Sequence, residues 1–231
     1  MARRVEELVG GIWCWTTRPR GLRPGEFGSR TSYAVAAETD LLLIDPLVEG
    51  DHDPVLGVLD DLVRAKVRIF VTMPYHARSA EWLWRRYSSR QARIYGHPAV
   101  ATRLGDTSGF EAVSGTVDGV ARFHSIGRPP RSEQPIEIPS VRALVFGDAV
   151  VEIGGGALRI WERPLDSDRR QRWWKEDYLP TLDRLATLDI RHVLVTHGRP
   201  AIGDGKEALQ RALNSAPWQR PKRPRRTARN G

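Results

Sequence analysis

Apolar and polar residues alternate in patterns that predict both strands and helices in the first part of the chain. Residues 32–46 (SYAVAAETDLLLIDP) predict a β-hairpin whose second strand, LLLID, is buried. Apolar residues at helical spacing after Asp53 predict a helix with an aspartate at its N-cap. Residues 67–73 and 92–96 predict two more buried strands, separated by a helix that Ser79 caps.

Strand and helix patterns continue in the rest of the chain, except in one segment with little regular periodicity. Residues 105–135 are rich in Gly, Ser and Pro, with one strand-like piece, VARFHSI. PIEIP, VRALVFGDAVVEI and ALRIWE predict strands, with the glycines at 154–156 as a hairpin loop. An apolar stripe over 174–188 predicts a helix that kinks or begins at Pro180, before the strand RHVLVTH and the helix DGKEALQRAL. Strands that alternate with helices at both ends favour sheets covered by helices, in one domain over residues 1–217.

Composition excludes several classes of protein. The chain has 231 residues, of which 40% are hydrophobic and 28% are charged, a balance typical of globular proteins. No apolar run approaches the roughly 20 residues of a membrane helix, and none follows the N-terminal arginines as in a signal peptide. Cys14 is the single cysteine, which excludes an internal disulfide. We therefore expect a cytoplasmic protein that does not enter a membrane.

The positive charge is concentrated at the C-terminus. The net charge is +8, and the last 16 residues carry six basic residues and no acid, so the rest of the chain is close to neutral. Residues 218–231 are expected to form a disordered or extended basic tail, because they lack the apolar residues of a core. This tail is either simply solvated or makes weak contact with nucleic acid.

Polar residues directly follow four of the predicted buried strands. Asp45 ends LLLID, TMPYHAR (72–78) follows VRIFV, Asp148 follows ALVFG, and His197 follows HVLVT. Strand ends at a sheet edge are where α/β folds collect ligand-binding groups. The four strand ends therefore predict one shared site.

The order of these segments resembles the metallo-β-lactamase superfamily. LLLIDP, VFGDAVV and YLPTLDRLATLDIRHVLVTHGRP carry the resemblance, which covers roughly residues 7–214. The resemblance implies an α/β fold in which two sheets lie between two layers of helices, a four-layer αββα sandwich with a site at one edge of the sheets. In active members that edge binds two metal ions, usually zinc, and a metal-bound hydroxide attacks the substrate.

The chain departs from the superfamily at its main metal-binding motif. The family motif is Thr-His-x-His-x-Asp-His, whereas this chain reads TMPYHAR. Met73 and Tyr75 stand in place of the first two histidines, Ala77 in place of the aspartate, and Arg78 in place of the last histidine. His76 falls at a spacer position, one residue out of register.

Two family ligands carry over directly, Asp148, which bridges the metals in the family, and His197. Asp45 carries over as a residue that supports the site. The family's middle histidine is missing from SIGRPPRSEQP, which offers Arg128 and Arg131 instead. A catalytic zinc needs about three protein ligands. We therefore do not expect a metal pair and predict at most one ion.

Each of these residues also has an ordinary structural interpretation. His197 is alternatively a turn histidine bonded to a backbone carbonyl, and Asp148 an Asx turn after a glycine. His76 and Arg78 are alternatively solvated loop residues. If Arg78 does face the site, its guanidinium supplies Asp148 with a fixed positive charge in place of the metal.

Three functions therefore stay open. The first is a divergent hydrolase for a small-molecule substrate, in which one zinc ion is held by His76, Asp148 and His197. The second is a metal-free pseudo-enzyme that binds a small anion through Tyr75, Arg78 and Arg128. The third is a nucleic-acid-associated protein that uses the basic tail. The sequence does not identify the substrate, show whether the protein is an enzyme, or indicate an oligomeric state.

Overall fold

The first of two sheets lies in the N-terminal half of the protein. The computed structural model describes residues 4–18, 28–127 and 132–219. The first sheet has seven strands whose order in the sheet follows the chain. They are β1 (Glu6–Val9), β2 (Ile12–Thr17), β3 (Arg30–Ala37), β4 (Asp40–Ile44), β5 (Val67–Val71), β6 (Arg93–Gly96) and β7 (Phe110–Ala112). Strands β1 to β4 pair antiparallel, and β4 to β7 pair in parallel.

The second sheet and a small ribbon come from the C-terminal half. The sheet consists of β8 (Thr116–Val117), β9 (Ala121–Phe123), β10 (Ile136–Ile138), β11 (Ala143–Phe146), β14 (His192–Val195) and β15 (Ala201–Ile202). Its order is β15-β14-β11-β10-β9-β8, and β11 and β14 are its parallel pair. The separate antiparallel ribbon is formed by β12 (Val150–Glu152) and β13 (Leu158–Ile160).

Helices cover the outer face of each sheet. The first sheet packs against α1 (Val55–Leu62) and α2 (Ala80–Arg86). The second sheet packs against α3 (Asp168–Trp173), α4 (Leu179–Ala186) and α5 (Gly205–Leu213). A π-helical turn, Trp174–Tyr178, joins α3 to α4. None of the helices in the described ranges is long and apolar enough to cross a lipid bilayer.

Three apolar cores hold these layers together, one between the sheets and one under each group of helices. In β4, Leu42 and Ile44 face the second sheet, whereas Leu41 and Leu43 face α1 and α2. Both faces of this strand are buried, which is why its sequence is a continuous apolar run rather than an alternating one. The predicted four-layer αββα sandwich is therefore confirmed.

Several local predictions differ from the structure in detail. The segment VRALVFGDAVVEI is not one strand, because the chain leaves the sheet after Phe146 and enters the ribbon at Val150. The hydroxyl of Ser79 does not cap α2, because it donates to the carbonyl of Val48, 3.2 Å away. The N-cap of α1 is Pro54, one residue later than predicted, and Asp53 lies just before it, where its carboxylate accepts the backbone N–H of Val55.

The helix at Pro180 and the start of the predicted tail have definite places in the fold. Pro180 is the second residue of α4 and directly follows the π-helical turn Trp174–Tyr178, so the helix does not start at the proline but passes through an irregular turn just before it. Trp218, the first residue assigned to the tail, forms an isolated parallel bridge with Trp161, just after β13: its N–H donates to the carbonyl of Ile160, and its carbonyl accepts the N–H of Glu162. Residues 220–231 lie outside the described residues, so the disorder of the tail stays a prediction.

Candidate functional site

The four predicted strand ends meet at one edge of the sandwich. Asp45 follows β4, and His76 lies in a short 3₁₀ turn (Pro74–His76) that follows β5. Asp148 follows β11, and His197 follows β14. Because β4 and β5 are parallel, as are β11 and β14, each pair of strands ends at the same edge of its sheet. All four side chains are buried there.

Asp45 is the hydrogen-bonding centre of this edge. Its Oδ1 atom accepts the backbone N–H of Thr72 at 2.9 Å. Its Oδ2 atom accepts the hydroxyls of Thr72 at 2.6 Å and Thr196 at 3.1 Å, and lies 2.8 Å from Nδ1 of His76. The backbone of Asp45 is left-handed (φ 47°), a conformation that aspartate tolerates better than most residues. Asp45 thus joins the loops after β4, β5 and β14.

Burial and neighbouring charges set the protonation of Asp45 and His76. Burial raises the pKa of Asp45, but the combined effects of His76, Arg78 and Thr72 outweigh it and hold that pKa below its usual value. Burial and the positive charge of Arg78 lower the pKa of His76, although Asp45 opposes this shift. At neutral pH the pair is therefore a carboxylate that accepts the Nδ1–H of a neutral imidazole, which leaves Nε2 of His76 as an acceptor.

Two histidines direct their Nε2 atoms at one carboxylate oxygen. Oδ1 of Asp148 lies 3.1 Å from Nε2 of His197 and 3.6 Å from Nε2 of His76. The Nδ1 atom of His197 lies 3.0 Å from the carbonyl oxygen of Ser29, so Nδ1 carries the proton and donates it. Ligand atoms of the three residues all lie within 4.8 Å of one another. We refer to His76, Asp148 and His197 as the triad.

The triad fits one metal ion. In a tetrahedral site with the usual zinc–ligand distances of about 2.0–2.2 Å, neighbouring ligand atoms are roughly 3.3 Å apart. This separation lies between the two distances from Oδ1 of Asp148 to the histidine Nε2 atoms, 3.1 and 3.6 Å. Metal-bound histidines donate their second N–H to a carboxylate or a carbonyl, as His76 does to Asp45 and His197 to Ser29. Two imidazoles and one carboxylate suit zinc and iron(II). Within the described ranges, this is the one group of three or more such side chains with metal-binding geometry.

The other residues of the TMPYHAR segment take different positions. Met73 and Ala77 are buried, and Ala77 belongs to the core beneath the helices. The predicted ligand-binding residue Tyr75 is 65% exposed, with its ring centre 4.6 Å from the guanidinium of Arg103. Arg128, also predicted to bind a ligand, lies outside the described residues.

Arg78 lies beside the triad but bonds to the backbone. Its Nη1 atom donates to the carbonyl oxygen of Asp45 at 3.0 Å, an oxygen that also accepts the hydroxyl of Ser32. Among the described residues Arg78 forms no ion pair with a carboxylate, so the direct pairing with Asp148 expected from the sequence is not seen there. Its backbone φ of 40° is unusual for a bulky residue and reflects strain at this position.

Glu133 is a site residue that the sequence analysis missed. It is 3% exposed, and its Oε1 atom accepts the backbone N–H groups of Gly147, Asp148 and Ala149. It lies in the segment without a clear pattern, so no periodicity marked it. The one feature of the sequence that could have pointed to Glu133 is that it is the single acidic residue in the basic, proline-rich stretch SIGRPPRSEQP.

Comparisons with known proteins identify the fold. No protein-family model and no curated protein matches the sequence. The structure of DIM-1 metallo-β-lactamase is similar, with a TM-score of 0.60 and 14% identity over 93% of this chain and 98% of that one. A putative diflavin flavoprotein from Nostoc sp. PCC 7120 is also similar, with a TM-score of 0.63 and 14% identity over 92% of this chain and 96% of that one. A flavodiiron protein from Thermotoga maritima has a TM-score of 0.61 and 13% identity over 91% of this chain and 61% of that longer one.

The chain therefore has the metallo-β-lactamase fold. The resemblance inferred from the sequence is confirmed at the level of the fold, with nearly the whole described chain superposed. At this identity the neighbours establish the architecture, and the chemistry of this chain has to be argued from its own site.

Proposed function

We propose that the protein is a divergent, hydrolase-like member of the metallo-β-lactamase superfamily that holds a single divalent metal ion in the triad. The observation that supports this proposal most strongly is the orientation of the two imidazoles. Each has its Nδ1 atom bonded away from the site and its Nε2 atom directed at Oδ1 of Asp148.

In this proposal the protein residues prepare the site before any ligand arrives. Asp45, Thr72 and Thr196 hold His76 in one tautomer and one orientation, and Ser29 does the same for His197. A divalent ion bound there supplies Lewis acidity toward a substrate oxygen. The burial of the triad excludes bulk water and so strengthens the electrostatic interactions within it.

The proposal is limited to one ion because the remaining family ligands have no replacement in the described chain. Met73 has a thioether, which zinc seldom uses, Ala77 has no donor atom, and Tyr75 is exposed. The guanidinium of Arg78 is a fixed positive charge close to Asp45 and Asp148. It disfavours a second cation beside the first.

The metal content of the purified full-length chain tests this proposal. We expect elemental analysis to find about one zinc or iron ion per chain after reconstitution with either metal. His76→Ala, Asp148→Ala and His197→Ala should each lose the ion. His124→Ala is a matched control, because His124 is a partly buried histidine bonded to Glu137 and lies outside the triad. Two ions per chain, or an ion that survives all three triad substitutions, would overturn the proposal.

A metal-free site that binds a small anion is the second candidate function. It is favoured by Arg78, which is held in a strained backbone conformation beside the triad and has no carboxylate partner among the described residues. Calorimetric titration of the chelator-treated protein with inorganic phosphate tests it. Binding that Arg78→Ala abolishes, in a protein that takes up no metal, would support this function over the first.

A further inference from the structure

Glu133 binds the backbone of the loop that carries Asp148. Its Oε1 atom lies 3.0, 2.8 and 3.0 Å from the backbone nitrogens of Gly147, Asp148 and Ala149. Hydrogen bonds to an ionised carboxylate are stronger than those to a neutral acceptor. One buried oxygen atom thus fixes three consecutive peptide groups, and the middle one belongs to the triad residue.

The same segment is also bonded to the loop that carries His76. The N–H of Gln134 donates to the carbonyl of Thr72 at 2.8 Å, and Thr72 in turn contacts Asp45 and His76. The two loops are in close contact, because a Cβ atom added at Gly147 would lie 2.6 Å from Oγ1 of Thr72. Residues 133–134 therefore connect the loop after β5 in the first sheet with the loop after β11 in the second.

We propose that Glu133 is a positioning residue that fixes the Asp148 carboxylate against the two histidines, and thereby sets the metal affinity of the triad. The effect on affinity rests on the proposed function, whereas the fixing of the loop does not. Asp148 follows the end of a strand, where the ladder no longer holds the backbone. The bonds to Glu133 take over this role for residues 147–149. Residues that support metal ligands in this way commonly change metal affinity by roughly 10- to 100-fold when they are removed.

Three substitutions of Glu133 separate its possible roles. Glu133→Ala removes the acceptor, and Glu133→Asp withdraws it by one methylene. Glu133→Gln keeps a side-chain oxygen that can accept the same N–H groups. Asp53→Ala is the matched control, because the buried Asp53 carboxylate also accepts two backbone N–H groups, those of Glu49 and Val55, but none in the Asp148 loop.

Two measurements on the full chain read out these variants. The first is the affinity for Co²⁺, followed by its visible absorption in competition with a chelator. We expect a loss of roughly 10- to 100-fold in Glu133→Ala and Glu133→Asp. We expect a smaller loss in Glu133→Gln, whose neutral oxygen accepts the same bonds more weakly, and little change in Asp53→Ala. The second is hydrogen exchange of the amides of residues 147–149 in the metal-free protein, which should become much faster in Glu133→Ala and Glu133→Asp than in Glu133→Gln.

The outcomes distinguish this proposal from the proposed function. If the unsubstituted protein binds Co²⁺ and Glu133→Ala and Glu133→Asp bind it equally well, the positioning role is wrong and the metal site stands. If the unsubstituted protein binds no Co²⁺, the metal site and the effect on affinity are both wrong, and amide exchange alone decides whether Glu133 fixes the loop. If Glu133→Ala does not fold, the difference between the Asp and Gln variants decides the question.

Discussion

Removal of the Asp45 carboxylate should destabilise the metal-free protein strongly. The carboxylate is almost fully buried and accepts bonds from one backbone N–H, two hydroxyls and one imidazole N–H. In Asp45→Ala the hydroxyl of Thr196 keeps a partner, the carbonyl of Phe146, and Nδ1 of His76 keeps Oγ1 of Thr72 at 3.1 Å. The backbone N–H and the hydroxyl of Thr72 lose their acceptor. Buried donors without a partner cost about 1–3 kcal/mol each. We therefore expect a loss of about 3–5 kcal/mol, a large share of the roughly 5–15 kcal/mol that stabilises a typical domain.

Urea unfolding followed by circular dichroism at neutral pH measures this loss, with a chelator present so that lost metal does not contribute. Asp45→Asn separates the loss of hydrogen bonds from the cost of backbone strain in Asp45→Ala. Asparagine tolerates the left-handed conformation as aspartate does, and it keeps one acceptor oxygen. It should lose less than Asp45→Ala. Asp189→Ala is the control, since Asp189 is an exposed partner of Arg142 and its loss should cost less than about 1 kcal/mol. A loss below about 1 kcal/mol in Asp45→Ala would refute the reasoning.

Three further predictions follow from the same packing. The pKa of His76 is lowered on folding, so its contribution to stability is complete above its unfolded value of about 6.5 and is lost as the pH falls below that value. Urea midpoints of the chelated protein should therefore fall as the pH drops below about 6.5, and should fall less in His76→Gln. Gly147→Ala should destabilise the protein by about 1–3 kcal/mol, because its Cβ would lie 2.6 Å from Oγ1 of Thr72. Gly57→Ala should stabilise the protein, because Gly57 lies in open space on α1. Thermal melts should therefore show melting-temperature shifts of opposite sign for the two variants. Deletion from Trp218 onward should lower the melting temperature, because the backbone hydrogen bonds of Trp218 to Ile160 and Glu162 are lost. Deletion from residue 220 onward keeps both bonds, so equal melting temperatures for the two deletions would contradict this prediction.

The sheets and the place of the site could be predicted because their signals are local. Strands β4 and β5 are buried on both faces, so each appears as an apolar run in the sequence. Asp45, Asp148 and His197 each stand within two residues of such a run. Parallel pairing then brings the ends of the runs to one edge. The split between β11 and β12 was not predicted, because only Gly147 and Asp148 separate two apolar runs that enter different sheets.

The contribution of Glu133 could not be predicted from local patterns at all. Its partners at 147–149 are 14 to 16 residues away in the chain, and the bonds go to backbone groups that carry no side-chain signature. The surrounding segment has neither the alternation of a strand nor the period of a helix. Its role depends on where two sheets place their loops, which is a property of the tertiary structure.

The position of His76 shows why motif register does not determine the number of ligands. In an extended segment, side chains two residues apart share a face, so Met73 and Tyr75 would occupy one face and His76 the other. The chain instead turns through a 3₁₀ helix at Pro74–His76, where successive side chains are about 120° apart. This turn buries His76 against Asp45 and leaves Tyr75 exposed. The TMPYHAR segment supplies no family ligand by register, yet its turn places His76 beside Asp148 and His197 as a third candidate ligand.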